Sequence, residues 1–483
     1  MSSARTLATI LTAAICAGAH PGCGAGGAAS SPAASGGSNP ADPARGGQGG
    51  ATPASASGGA GGTAPAAGTN GGGAAGAADA PGSSAPASVD VASSEAGGPA
   101  GPSAAGGPQL VIAAGEFARE SSIVSFHLDQ ASAGLLSLRG PGGEQLPLQV
   151  DGTGTATFIL PSLAAGAQAT YAVEGAAPAQ PTSVTAAKDA DGVLVSVGGA
   201  AVFRYRTQGK LPAGIGAAYL RGGYLHPITT PGGVLVSDDY PGDHRHHHGL
   251  WSAWAHSNFE GHEIDFWNMG GGSAKVDFDT LNSTWEGPVH GGLDTRQVHV
   301  SLAGGSKVAL NETWHLTAYH THATAPPYFV FDLDSKQETA SMSPVMLHQY
   351  IYGGFALRGH ASWNGGGGAV FLTSEGKTRG NGDGTDARWC FIGGNVAGKM
   401  AGYAALGHPE NFRAPQPVRI NPTNPFFSIA PVRDSGFDIL PGKPYISRYR
   451  IVVADGGPDK ALLDRLWNDY AHPPTVTVRA ATP

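Results

Sequence analysis

From residue 109 onward the chain is built of short runs in which apolar, often β-branched, positions alternate with polar ones, each run closed by Gly, Pro, Asn or Asp. A period of two predicts strands with one face buried, and residues 122–128, 155–160, 193–197, 202–205, 297–302, 308–316, 328–333 and 445–453 carry it. Many short strands separated by turn residues predict an all-β fold, a large antiparallel sandwich or barrel. One segment follows a helical period instead. Behind Pro458, Leu462, Leu463, Leu466, Trp467 and Tyr470 fall on one side of residues 459–471, which predicts a single C-terminal helix closing the domain.

Residues 109–195 are expected to form a small β-sandwich-like block whose last strand is 182–188. The main β-domain would follow at 196–473 and a tail at 474–483. No repeat of about 20–50 residues is visible, which argues against a propeller or solenoid.

Composition changes the picture before residue 109. Residues 24–109 contain no aromatic side chain, and apart from alanine their only aliphatic ones are Val89 and Val91. Such a stretch has nearly nothing to bury and is expected to be a disordered linker, 24–108, spanning on the order of 50 Å as a random coil. The first 23 residues read as an export signal: Arg5 supplies the positive charge and residues 7–19 a short apolar core. Cys23 directly after it permits a lipoprotein-type anchor, with free secretion as the alternative.

The chain holds three cysteines, Cys16, Cys23 and Cys390, so an exported form must hold itself with a large core rather than with disulfides. Cys390 reads as a small buried hydrophobe. A net charge of −8 with no basic run argues against nucleic acid as a partner. After the signal no apolar stretch reaches membrane-spanning length.

Candidate chemistry concentrates between Asp238 and Trp254. Six of the eighteen histidines lie between His244 and His262. Pro241-Gly242 makes a turn before them and Gly249 ends the run, which places the imidazoles at a loop-to-strand junction, where sites are often built. If the run is extended, His244, His246 and His248 point one way while Asp243 and His247 point the other. Imidazoles can move protons near neutral pH or bind a divalent metal, and the spacing matches no diagnostic metal pattern.

A second signal is Glu312, which shares a strand face with Val308, Leu310, Trp314 and Leu316. Burial among them is expected to raise its pKa and suit it to acid or base work. A strand-end position or an ion pair with Arg358 or Arg450 is the structural alternative. A third is residues 346–358, where His348, Tyr350 and Tyr352 alternate toward one surface and Arg358 follows. Aromatic faces with hydroxyls suit a sugar ring, although aromatics on a strand more often belong to the core.

Several motifs together resemble the bacterial PmoA-like family of exported proteins often labelled methane oxygenase. They are Tyr224-Leu225-His226-Pro227-Ile228, Asp243-His244-x-His246-His247-x-Gly249, Asp265-Phe266-Trp267, Tyr352-Gly353-Gly354 with Arg358, Ala387-Arg388-Trp389-Cys390, His408-Pro409-Glu410-Asn411-Phe412 leading to Pro425-Phe426-Phe427, and Pro441-Gly442-Lys443. Arg245 stands where that family usually has proline and His248 where it usually has arginine. A membrane oxygenase is at odds with a chain that lacks a spanning helix. The order of strands looks like the galactose-mutarotase supersandwich, a resemblance that implies a sugar ligand without fixing a reaction.

The resulting expectation is an extracytoplasmic carbohydrate-active enzyme working by proton transfer, of epimerase, lyase or hydrolase type. His246, His247 and Glu312 would be catalytic, with Asp243, His244, Trp254, His348, Tyr352, Arg358 and Arg388 binding the sugar. Two alternatives stay open: a non-catalytic glycan-binding lipoprotein, and a mononuclear metal enzyme with a divalent ion on His244, His246 and Glu312.

Overall fold

The computed structural model describes residues 107–129, 133–176, 181–322, 327–365 and 367–480. The expected signal, its lipid anchor and nearly all of the linker lie outside them. All eight strands predicted above are present, at Arg119–His127, Thr155–Leu163, Gly192–Val197, Ala200–Arg206, His290–Ser301, Lys307–Tyr319, Tyr328–Thr339 and Tyr445–Asp455. The C-terminal helix spans Lys460–Ala471; Asp459 caps it by accepting from the Leu462 amide at 3.0 Å.

Two large antiparallel sheets face each other. One has nine strands, with Phe426–Ile429, Gly354–Arg358, Leu250–Ala253 and Tyr224–Ile228 as consecutive neighbours. The other has eight, centred on Lys307–Tyr319, Tyr328–Thr339 and Tyr445–Asp455. Inward side chains of both, among them Val195, Phe203, Leu250, Leu357, Trp314, Phe331, Tyr403 and Ile451, form one continuous core. Period-two patterning on both sheets is what lets each bury one face against the other. Among the described residues the chain is an all-β sandwich with one α-helix.

The smaller β-block is present with its own core around Leu110, Leu138 and Phe158, but its bounds differ from the expectation. It is one seven-stranded sheet built from the six strands between Gln109 and Ala176 and completed by Thr475–Arg479, which pairs with Gln109–Ala113. Residues 475–479 of the expected tail are therefore a strand of this sheet. Val184–Asp189 and Gly192–Val197 pair with each other and extend the nine-stranded sheet, so they leave the block to which the sequence assigned 182–195. The buried pair Arg119–Asp469, at 2.8 Å, ties the seven-stranded sheet to the helix. Among the described residues no helix is long and apolar enough to cross a membrane.

Candidate functional site

The histidine loop joins Tyr224–Ile228 to Leu250–Ala253, next to the strand that ends in Arg358. It is not extended. The His244 amide donates to Pro241 O at 3.1 Å and the His247 amide to His244 O at 2.9 Å, two successive turns that replace the expected alternation. His244 and His247 consequently stack, 4.5 Å between ring centres, with His246 edge-on to both. His248 turns the other way, into the protein.

The sheet holds this loop from behind. Arg358 donates its amide to Gly249 O, and Tyr403, reaching across from the facing sheet, donates its hydroxyl to Gly249 O at 3.0 Å and Arg358 O at 2.8 Å. The Arg358 guanidinium is fully buried; its Nη2 donates to Asp243 Oδ1 at 2.8 Å, Asp243 Oδ2 at 3.0 Å and Asn364 Oδ1 at 2.8 Å. Burial alone would raise the Asp243 pKa. Hydrogen bonds from His244 and Arg358 outweigh it and bring the carboxyl down to about 2. On the outer side of Asp243, His244 Nδ1 donates to Oδ2 at 3.0 Å, and Asn424 Nδ2 lies 3.2 Å from the same ring nitrogen. A guanidinium, a carboxylate and an imidazole thus run in a line from the interior to the surface, where His244 is half-buried.

His247 is buried between Phe426, Trp251 and Trp267, with ring centres 4.4, 4.9 and 6.0 Å away. Burial, and then the neighbouring His246, His244 and Arg358, push its pKa well below the ordinary histidine value. His246 is pushed down to about 3, again chiefly by burial. Both imidazoles are neutral at physiological pH. His248 packs on Tyr224 at 4.1 Å and donates from Nδ1 to Asp239 Oδ1 at 2.6 Å, while the Tyr224 hydroxyl donates to Asp239 Oδ2 at 3.0 Å. Burial pushes that carboxyl up to about 6.

Glu312 is placed elsewhere. As expected, it is buried beside Leu310, Trp314 and Leu316, whereas Val308 is displaced to the surface by a bulge in the pairing with His290–Ser301. Both its oxygens are occupied: Oε1 accepts from Trp314 Nε1 at 2.7 Å and Ser335 Oγ at 2.6 Å, Oε2 from Gln297 Nε2 at 2.9 Å and His299 Nε2 at 2.8 Å. None of these partners belongs to the histidine loop. Burial raises its pKa, but those hydrogen bonds more than offset it and the net shift is downward, opposite to the expectation. Glu312 is a structural hub. It also cannot complete a metal site with His244 and His246, and among the described residues no group of three or more His, Cys, Asp or Glu could hold a metal ion.

Other candidates separate in the same way. Trp254 is buried and donates to Gln337 Oε1 at 2.7 Å, so it belongs to the core. Arg388 lies over the Trp467 ring and lines a different, mostly apolar cleft of about 180 Å³ with His408, Pro409 and Gln416. Cys390 is buried, and its thiol is pushed up by burial. Tyr352 does join the site, 5.1 Å from Trp267, and His348 lies further along the same row of rings.

Asp239, Trp267, Phe426, Asn364 and Asn424 were not singled out as site residues in the sequence. Trp267 and Phe426 stand in motifs noted above, and Asp239 in the acidic pair before Tyr240. What could not be read is that these segments meet at one end of four neighbouring strands.

A search of curated proteins finds no match. Residues 192–468, more than half of the sequence and nearly all of the two-sheet sandwich, match the model of the family of unknown function DUF6807, and the chain belongs to that family.

Proposed function

We propose that this protein is an extracytoplasmic carbohydrate-active enzyme in which His244, oriented by Asp243 and Arg358, moves a proton on a sugar. The observation that carries the reading is the line Arg358–Asp243–His244 beside rings of Phe426, Trp267 and Tyr352. A carboxylate that accepts from Nδ1–H fixes the ring and leaves Nε2 as the basic atom. Aromatic faces next to charged edges match the C–H patches and hydroxyls of a pyranose.

The arrangement favours epimerase or lyase chemistry over glycoside cleavage. Hydrolysis in its usual form needs two carboxyl groups across the bond, whereas Asp243 is engaged by Arg358 and Glu312 sits in the sandwich core. His246, neutral and half-buried beside His244, is the second imidazole available to a substrate. The extracytoplasmic, sugar-directed part of the proposal rests on the export-signal reading of the first 23 residues and on the sequence motifs and strand order noted above as resembling mutarotase-type sandwiches.

Incubation with a panel of monosaccharides and uronic acids in deuterium oxide tests the proposal. Deuterium should enter one carbon position, or an unsaturated product should form, and His244→Gln should reduce either by about 10²–10⁴-fold. Sugar binding without exchange or product would favour the second reading, a glycan-binding protein. That reading has its own support, because among the described residues Asp243 is the only carboxyl hydrogen-bonded to His244. Absence of binding to every sugar would overturn both.

A further inference from the structure

A row of rings leaves the histidine loop and ends in a second cleft. From His247 it passes to Trp267 at 6.0 Å, Tyr352 at 5.1 Å, Tyr350 at 4.7 Å, His256 at 5.9 Å and His348 at 4.9 Å. Trp267 is buried, Tyr352 and Tyr350 are half-buried, His256 is exposed, and His348 at the end is half-buried again. The cleft at the far end has room for about 370 Å³ and is lined by His256, Glu263, Ile264, Asp265, Ser273 and Tyr350.

The supporting residues hold the row in place. Asp265 accepts from the amides of Trp267 and Asn268 and from Asn268 Nδ2, and Asn268 Nδ2 also donates to the Tyr352 hydroxyl at 3.1 Å. Asp265 is thus spent on fixing Trp267 and Tyr352. Glu263, exposed on the strand His262–Ile264, has no ion-pair partner among the described residues and leaves its carboxylate facing water. His256 adopts φ +38°, a conformation that L side chains rarely take, and it lines the cleft with its ring against Tyr350 and His348.

Resting on the sugar reading above, we infer that the ligand is an oligosaccharide rather than a monosaccharide. Its reacting residue sits at His244, and its further residues run over Tyr352 and Tyr350 to a subsite at His256 and Glu263. Ring faces offer each successive sugar a C–H contact, and the polar rim offers hydroxyl partners. With a free carboxylate at its mouth and no Lys or Arg among the described residues that line it, the distal subsite accepts a neutral or amino sugar and disfavours a uronate.

Calorimetry with glucose, glucosamine, N-acetylglucosamine and galacturonate, each compared with its own tetramer and hexamer, tests the inference. For at least one neutral or amino sugar the oligomer should bind about tenfold tighter than the monomer, and Tyr350→Ala should remove most of that gain without changing monomer affinity. Glu263→Lys, a surface change, should reverse the order in favour of galacturonate oligomers. If monomers bind and oligomers bind no better, or the gain survives both variants, the inference falls while the sugar site stands. If no sugar of either length binds, the sugar reading falls with it.

Discussion

Arg358, with no exposed surface, extends its Nη2 to both oxygens of Asp243, a residue a third of whose side chain is in solvent. A guanidinium buried this deeply needs an anion, and the only carboxylate hydrogen-bonded to it among the described residues is on the loop that carries the histidines. The ion pair therefore fixes the loop in place.

Asp243→Asn should show this. The variant keeps the size of the side chain and the contact with His244 but removes the charge opposing Arg358. The expected cost is about 1.5–3 kcal/mol, because the charge-assisted hydrogen bonds to Asp243 are weakened and the buried guanidinium keeps only neutral partners, among them Asn364 Oδ1 and His247 Nδ1. Urea unfolding of the variant against the parent measures it. A change below about 0.5 kcal/mol would mean that Arg358 is satisfied without Asp243.

Glu312→Ala should behave as a core lesion. Four donors, from Gln297, His299, Trp314 and Ser335, would lose their acceptor inside the sandwich, at a cost of about 3–5 kcal/mol. The response of the remaining folded protein to any sugar should be unchanged. A stable variant with abolished sugar chemistry would reverse the assignment and return Glu312 to the site.

Glu312 also marks how far the sequence could be read. Alternation along 308–316 correctly placed its side chain on the inner face, because period two is a local property of one strand. Its acceptor role depends on Gln297 and His299 of one neighbouring strand and Ser335 of the other, and pairing between distant segments leaves no local mark. The histidine loop shows the converse. Composition located it, but two tight turns decided which imidazole meets Asp243, so His244, rather than His246 or His247, is the ring held by its carboxylate. The boundary near residue 195 shifted for a related reason: strand-forming patterns look alike whichever sheet receives them.

Acid should destabilise the fold through His247. The unfolded imidazole takes up a proton near pH 6.5, whereas in the folded chain burial delays uptake to a much lower pH. Below about 6.5 the unfolded state therefore binds more protons, and stability falls as pH falls, by about 1.4 kcal/mol per unit from this one group. Asp239, held up at about 6, works in the opposite direction, since its folded carboxyl is protonated first. The contribution of His247 is isolated by comparison with His247→Phe, which keeps a ring among Phe426, Trp251 and Trp267. Between pH 7 and 5 the parent should lose about 2 kcal/mol more than the variant. Parallel curves would mean that His247 is charged in the fold.

Gly249 ends the loop where no side chain fits. A Cβ there would lie 2.4 Å from Leu225 O and 2.9 Å from Ser237 Cβ, and the first of these is backbone that cannot swing aside. The same residue's carbonyl accepts from Tyr403, so the strand edge cannot retreat without giving up that bond. Gly249→Ala should cost about 1–3 kcal/mol and displace the imidazoles from Asp243. Gly242→Ala, seven residues earlier, would meet nothing within 4 Å and should stay within about 0.5 kcal/mol of the parent. Thermal unfolding of the two variants side by side separates a requirement at the sheet edge from general sensitivity of the loop. Equal stability would show that Leu225 and Ser237 can move apart, and with them the support behind His244.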